Sequence, residues 1–325
     1  LATQSWQVSA TGGYLGHAQL SKSVYYQAQQ IMRWVQFADL DEKFGANMGD
    51  TLLFDKIMDL DTRGGQLTES NPIPSTSHKI RQGTCYAYEW GNSLNFPEVL
   101  EHFAEIDPLD KFQRVITNDM AKTRDRMVQA EFANCKIKYT PTGTVSNPTA
   151  TWDFDGTIST AATRDLQAWD LREINQAMRS GVYSSTTIRP VPPFDGDGHY
   201  IFVGSVSALR VLREDPDWKN AAYYGDPERL FNAEAGLFEN FRCIEENHLL
   251  SNTLGTTNYK GEGFVFGEET VKLITVVPPE LRRKIPLDYG RDRGIAWYAI
   301  EGVKLIWEYD STNEVDSRIV HITST

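Results

Sequence analysis

Cysteine is scarce in this chain: three residues in 325, at Cys85, Cys135 and Cys243. They lie far apart, are odd in number and form no CxxC pair, which excludes a zinc ribbon and a disulfide framework. Isolated thiols of this kind fit a reducing compartment. Histidine is also sparse, with six residues and no i, i+4 pair to hold a metal on a helix. Phosphate loops, a GxGxxG after a strand and a GxSxG elbow are all missing, so no known catalytic signature is present. Long apolar runs are missing as well, and none approaches the roughly 18 residues of a membrane span. Positive charge is in deficit, with 32 Lys and Arg against 44 Asp and Glu, a net charge of −12. A body of that sign does not neutralise phosphates, which argues against a protein whose task is gripping nucleic acid.

The composition is otherwise that of an ordinary globular protein, 40% hydrophobic and 23% charged. The length suggests about two domains and a core large enough to need no disulfide or metal staple.

Along the chain, residues 1 to about 45 open Gly-rich and polar, then carry Tyr25, Tyr26, Trp34 and Phe37 in a short patterned segment. Such a segment is expected either to dock on the main body or to lie as an arm on a neighbouring subunit. Thr51 to Leu60 alternates with Leu52, Phe54, Met58 and Leu60 on one side and Asp55 and Asp59 on the other. Ile80 to Trp90 alternates again, with Ile80, Gln82, Thr84, Tyr86, Tyr88 and Trp90 on one face. Period-two alternation in Tyr-, Thr- and Trp-rich sequence predicts strands. The polar stretch between them is too long for a tight turn, which predicts an extended hairpin. A hairpin of that kind cannot bury both faces on its own domain.

The clearest helix is predicted over 107–134. Asp107 is placed to cap it and Pro108 to occupy its first turn, where a missing N–H costs nothing. Leu109, Phe112, Ile116, Met120, Thr123, Met127 and Ala130 recur in steps of three and four. The opposite face is expected to be polar, carrying Lys111, Arg114, Lys122, Asp125, Arg126 and Gln129. Thr140 to Thr149 reads as a linker. A second helix is expected over 164–180 with Gly181 as its stop. Strands are expected at 200–203, 263–266, 271–277 and 315–322, with a helix at 207–213 and a long apolar-aromatic stretch over 294–307. The mixture has no βαβ regularity and predicts an α+β protein.

Two Asp-rich fragments, Asp153-Phe-Asp155-Gly156 and Asp195-Gly-Asp197-Gly198-His199, lack the further ligands of a calcium loop. They are expected to be turns. A carbohydrate-binding or carbohydrate-active site using these carboxylates with nearby tryptophans is the alternative from another functional class.

Several stretches together resemble one family. Asp195 to Gly204 followed by Leu209-Arg210 and Asp215-Pro-Asp-Trp218 is similar to part of tailed double-stranded DNA bacteriophage major capsid proteins. So are Ala221-Ala-Tyr-Tyr224, Leu230 to Gly236, Phe241 to Glu245, the helix opening Asp107 to Asp110, and Pro286 to Asp288 with Gly294 to Trp297. Ala233 and Ala235 depart from the pattern, and the stretch from Gly64 to Lys79 is not recognisable in it.

The resemblance implies the Hong Kong 97 capsid fold: an N-terminal arm (1–45) and an extended β-hairpin loop (46–92). A peripheral domain on a spine helix (93–148 and 291–325) and an axial domain (149–290) complete it. It also implies a virion structural protein without catalysis or cofactor, assembled in the bacterial host cytoplasm into hexamers and pentamers of an icosahedral head. The partners implied are copies of itself, a portal, decoration or scaffolding proteins, and packaged DNA bound without sequence preference; no membrane is involved. Ile80, Gln82, Thr84, Tyr86, Tyr88 and Trp90 are expected to form an intersubunit strand, and Leu109, Phe112, Ile116, Met120 and Met127 the spine. A bacterial nanocompartment shell of the same fold would keep the architecture and change the cargo.

Overall fold

The computed structural model describes residues 32–41, 51–60, 64–67, 69, 73, 75–103, 108–216, 234–247, 261–285, 291–312 and 314–324. Asp107, most of the expected arm and the segment 217–233 of the family resemblance lie outside them. The chain is α+β, with two main sheets and one long helix crossing from one sheet to the other.

The first sheet has four strands. β1 (Asp39–Asp41) runs parallel to a later strand, and two short ribbon strands follow, β2 (Thr51–Ile57) and β3 (Ile80–Tyr86). β4 (Tyr88–Pro97) then leads into α1 (Glu98–Phe103) and α2 (Pro108–Ala133). The hairpin β5 (Lys138–Thr144) and β6 (Asn147–Asp153) comes next, then α3 (Ala168–Ser180), the small pair β7 (Val182–Tyr183) and β8 (Thr186–Thr187), and β9 (Tyr200–Ser205). α4 (Val206–Glu214), β10 (Glu234–Phe238), β11 (Phe241–Glu246) and β12 (Gly261–Phe266) follow. β13 (Val271–Arg283), β14 (Asp292–Leu305) and β15 (Ile319–Ser324) close the chain. The four-stranded sheet has the order β1-β13-β14-β4, and a seven-stranded sheet has the order β10-β11-β9-β12-β15-β5-β6.

Helix α2 covers the predicted range but buries a face that rotates along its length. Its first half sets Phe112, Ile116 and Met120 against Trp90, Leu94, Ile295, Trp297 and Ala299 of the four-stranded sheet. Its second half buries Val128 and Phe132 against Phe264, Phe266 and Ile319 of the seven-stranded sheet. A strict three-four repeat drifts relative to a straight 3.6-residue helix, so the expected stripe leaves the core before the helix ends. Ala130 is exposed, while Asp125 and Gln129, expected on the solvent face, are fully buried.

Half-buried positions of the helix carry polar bonds to β14. Arg124 makes a two-pronged pair with Glu301 of β14, at 2.8 Å on each carboxylate oxygen. Asp119 accepts from the Trp297 indole at 2.8 Å, and Glu131 accepts from the Leu305 backbone at 3.0 Å.

The stretch expected to be a linker is strand. Thr140, Thr142 and Thr149 sit in the β5–β6 hairpin, where β-branched residues fit a pleated surface. Arg164 clamps it, its Nε donating to the Thr142 carbonyl and its Nη2 to the Thr149 carbonyl, at 2.8 and 2.9 Å. The same guanidinium forks onto Asp170 at the start of α3, and Asp170 also accepts from the Tyr139 hydroxyl at 2.6 Å and the Gln167 amide at 2.9 Å. Gly181 ends α3 with φ of +73°, where a Cβ would come within 2.1 Å of the Ile188 carbonyl. β13 runs on past the expected end at 277 because Pro278 and Pro279 sit at a bulge, between Val277 and Glu280 in the pairing with β14.

Sheet membership cuts across the expected domain limits. Residue 148 falls inside β6, β13 from the expected axial segment belongs to the four-stranded sheet, and β15 from the expected peripheral segment belongs to the seven-stranded one.

All three cysteines are buried thiols outside any disulfide. Burial pushes the Cys85 thiol up to about 11 and raises that of Cys135, so neither is a ready nucleophile.

Candidate functional site

The feature that sets this chain apart from a self-contained globule is the ribbon β2–β3. Its register runs from Thr51 opposite Tyr86 to Ile57 opposite Ile80, and the Met58 amide extends the ladder to the Lys79 carbonyl at 3.1 Å. Among the described residues it hydrogen-bonds to no other strand.

One face of the ribbon meets the body. Leu52, Phe54 and Cys85 pack with Ile274, Ala87 and Val276. Phe54 lies flat over Gly83, where a Cβ would stand 2.3 Å from its ring, so the aromatic covers what the glycine leaves bare. The opposite face carries Leu53 and Ile57 from β2 and Ile80 and Tyr86 from β3, and these are 52–69% exposed. Four large apolar side chains on one small two-stranded sheet leave a surface that a lone molecule would be expected to cover.

Ile80, Gln82, Thr84 and Tyr86 all lie on that outer face, and the Gln82 amide bonds across it to Asp55 at 3.0 Å. Tyr88 and Trp90 do not continue the same strand. The chain breaks at Ala87 and enters the four-stranded sheet, pairing Tyr88 with Glu301 and Trp90 with Ala299. The break sits where β14 passes closest: a Cβ on Gly302 would be 2.1 Å from the Tyr86 carbonyl. Tyr88 remains exposed, but Trp90 turns into the core beneath α2 and donates its indole N–H to the Glu301 carbonyl at 3.2 Å. Of the expected spine residues, Phe112, Ile116 and Met120 share one cluster, Met127 packs with the other, and Leu109 is half-buried.

Two further attachments hold the ribbon's outer end. Lys56 is buried with its Nζ 2.7 Å from both carboxylate oxygens of Glu314, and 5.8 Å from the centre of the Trp307 ring. Asp59, just past β2, pairs with Arg189 at 2.6 Å. Between the ribbon and residues 304–314 lies a cleft of about 620 Å³, with Lys136 and Phe154 also on its wall.

Beside this anchorage, burial pushes the Asp316 carboxyl up from 3.8 to about 6, with Arg318 and Arg189 opposing the rise and Glu314 adding to it. The folded pKa lies above the unfolded one. The stabilisation is therefore complete below about pH 4 and is lost as pH rises through about 6. Asp316→Asn, which keeps the shape of the neutral form, is expected to stabilise the subunit by about 1–3 kcal/mol at pH 8 and by about half as much at pH 5, as read from urea midpoints at the two values.

The Asp-rich fragments form turns. Asp153 accepts from the backbone and hydroxyl of Ser159, and Asp155 from those of Thr157. Asp195, Asp197 and His199 draw their ligand atoms within 4.8 Å of one another, but Arg242 faces the group, 2.7 Å from Asp195 and 3.9 Å from Asp197. His199 closes the same turn, its backbone amide donating to Asp195 at 2.8 Å. A guanidinium in that place supplies the positive charge a cation would bring. No described tryptophan forms an open platform for a sugar ring: Trp34, Trp90, Trp152, Trp169, Trp297 and Trp307 are all buried or half-buried.

No sequence pattern marks Lys56, Arg124, Arg164, Asp170 or Glu314 as anchoring residues. Charged residues on alternating or helical patterns read as solvent-facing until the fold brings their partners to them.

No family model matches the chain, and no curated protein matches it. Solved structures do, along nearly its whole length. The fold is that of phage capsid proteins. The capsid of Helicobacter pylori bacteriophage KHP30 aligns over 95% of each chain with a TM-score of 0.70 at 13% identity. The capsid of Ralstonia phage GP4 aligns over 95% of this chain and 94% of its own with a TM-score of 0.68 at 15% identity. The capsid of a native GTA particle aligns over the full length of both chains with a TM-score of 0.61 at 13% identity. Among the described residues no helix is long and apolar enough to cross a membrane.

Proposed function

We propose that this chain is a structural major capsid protein that associates with copies of itself into a closed shell enclosing double-stranded DNA. The observation that carries the reading is the capsid-protein fold extending over 95% of the chain. The ribbon agrees with it, since Leu53, Ile57, Ile80 and Tyr86 form an apolar outer face without a partner in their own subunit among the described residues. In a shell that face is covered by a neighbouring copy, and closed symmetry repeats the contact around rings of six and five.

On this reading the Hong Kong 97 parts map as follows. The arm expected over 1–45 lies mostly outside the described residues, the ribbon is the extended loop, and α2 with the four-stranded sheet is the peripheral domain. The seven-stranded sheet with α3 and α4 is the axial domain. Portal, decoration or scaffolding proteins complete a virion head built in the host cytoplasm. The role is structural and calls for no catalysis and no cofactor. The net charge of −12 suits a wall that encloses DNA without gripping it.

The test is assembly. The purified chain is expected to form megadalton particles by light scattering and negative-stain imaging, with nuclease-protected DNA when made in infected cells. Ile57→Asp with Ile80→Lys, cross-strand partners on the exposed ribbon face, is expected to leave the unfolding free energy within about 0.5 kcal/mol of the parent and lower particle yield at least tenfold. A sharp monomer at every concentration would overturn the proposal. Particles loaded with a protein cargo and no DNA would redirect it to a nanocompartment shell.

A further inference from the structure

The ribbon is a strap held at two ends over a hollow. Its base is fixed by the small cluster of Leu52, Phe54 and Cys85 on Ile274, and by the tight crossing of Gly302 under Tyr86. Its outer end is fixed by Lys56 on Glu314, 258 residues away in the chain. The cleft of about 620 Å³ separates the ribbon from residues 304–314, so close packing does not define its seat along that length.

The seat of Glu314 is itself built. Asp310 and Glu314 exchange backbone hydrogen bonds at 2.8 and 2.9 Å, closing the loop that presents the carboxylate. Both side chains of the pair are nearly dry, at 9% and 12% exposure. A buried ion pair adds little net stability compared with apolar residues of the same size, whereas its strict geometry specifies one arrangement. The second pair, Arg189 with Asp59, is largely exposed, 40% and 71%, and so contributes little to holding the strap.

From this geometry we propose that Lys56–Glu314 is a latch: it sets the ribbon in its docked position, and breaking it lets the ribbon pivot as a unit about its base at Ala87. The β2–β3 ladder stays intact in the pivot, because none of its hydrogen bonds reaches either larger sheet.

The full-length subunit carrying spin labels at Ser77→Cys, past the latch on the ribbon, and Val145→Cys, on the β5–β6 turn of the body, reads the pivot directly. The three native thiols are buried, which directs labelling to the introduced pair. The parent is expected to give one narrow interlabel distance by pulsed electron resonance. Glu314→Gln is expected to broaden that distribution at least twofold with unchanged far-ultraviolet dichroism, and the charge-swapped pair Lys56→Glu with Glu314→Lys to narrow it again. If the single variant fails to fold, Lys56→Met with Glu314→Gln removes the ion pair without stranding a charge and is expected to broaden the distribution equally. A folded variant without the ion pair that keeps the parent's narrow distance would overturn the latch. The measurement is made on dilute, unassembled subunit, so that a parent giving one narrow distance there while never assembling would leave the latch standing and count against the shell.

Discussion

Asp170→Asn is expected to destabilise the subunit by about 3–5 kcal/mol, among the largest effects of any single polar substitution in the described chain. Asp170 is fully buried and collects the Arg164 guanidinium, the Tyr139 hydroxyl and the Gln167 amide. Asparagine keeps the volume, but it removes the charge that balances Arg164, which is 3% exposed at its side chain. A buried guanidinium without its counter-charge carries the full cost of its desolvation. The urea midpoint should fall accordingly. Arg164→Met with Asp170→Leu should recover much of the loss, because the apolar pair leaves no buried charge. Equal stability of Asp170→Asn and the parent would show that the clamp between α3 and the β5–β6 hairpin is not a structural tie.

Trp34→Ala is expected to cost about 3–5 kcal/mol as well. Trp34 is completely buried, packed edge-on to Phe264 at 5.2 Å between ring centres and tilted against Phe132 at 5.1 Å. Phe37 follows it, 5.2 Å from Phe266. The Trp34 backbone N–H donates to the buried Asp125 carboxylate of α2 at 2.7 Å, which fixes the segment's height along the helix. Removing the indole opens a cavity among rings already packed together. Trp34→Phe should cost about half as much, since it keeps a ring in the slot. A neutral Trp34→Ala would mean that residues 32–41 dock by other means.

That segment shows what the chain's pattern conveyed and what it did not. Aromatics at 34 and 37 marked it as something that docks, and both destinations, own body or neighbour, were open from the residues alone. The slot between Phe132 of α2 and Phe264 and Phe266 of β12 decides for the chain's own body over 32–41. These residues are about 95 and 230 positions away, a distance no local pattern spans.

The polar residues tell the same story. Asp125, Gln129, Arg164, Lys56 and Glu314 are charged or amide residues that a periodicity argument assigns to water, and each is buried. Lys56 and Glu314 meet across 258 residues and Asp125 takes the Trp34 amide across 91, so their burial follows from the tertiary fold. Thr140 to Thr149 reads as a linker for a related reason. Its Thr-rich composition suits both loops and strands, and the Arg164 clamp and pairing with β15 select the strand.

By itself the sequence determined the α+β class, the long helix expected over 107–134 and found at 108–133, the buried strand expected over 200–203 and found at 200–205, the Gly181 stop and the alternation of the ribbon, because periodicity and turn chemistry are local properties written in neighbouring residues. Only the tertiary structure decided which strands share a sheet, how the buried face of α2 rotates between two sheets, where Ala87 breaks the alternating run, and which buried charges meet. Those outcomes depend on contacts between residues tens to hundreds of positions apart, whose free energy appears only once the whole chain has closed around them.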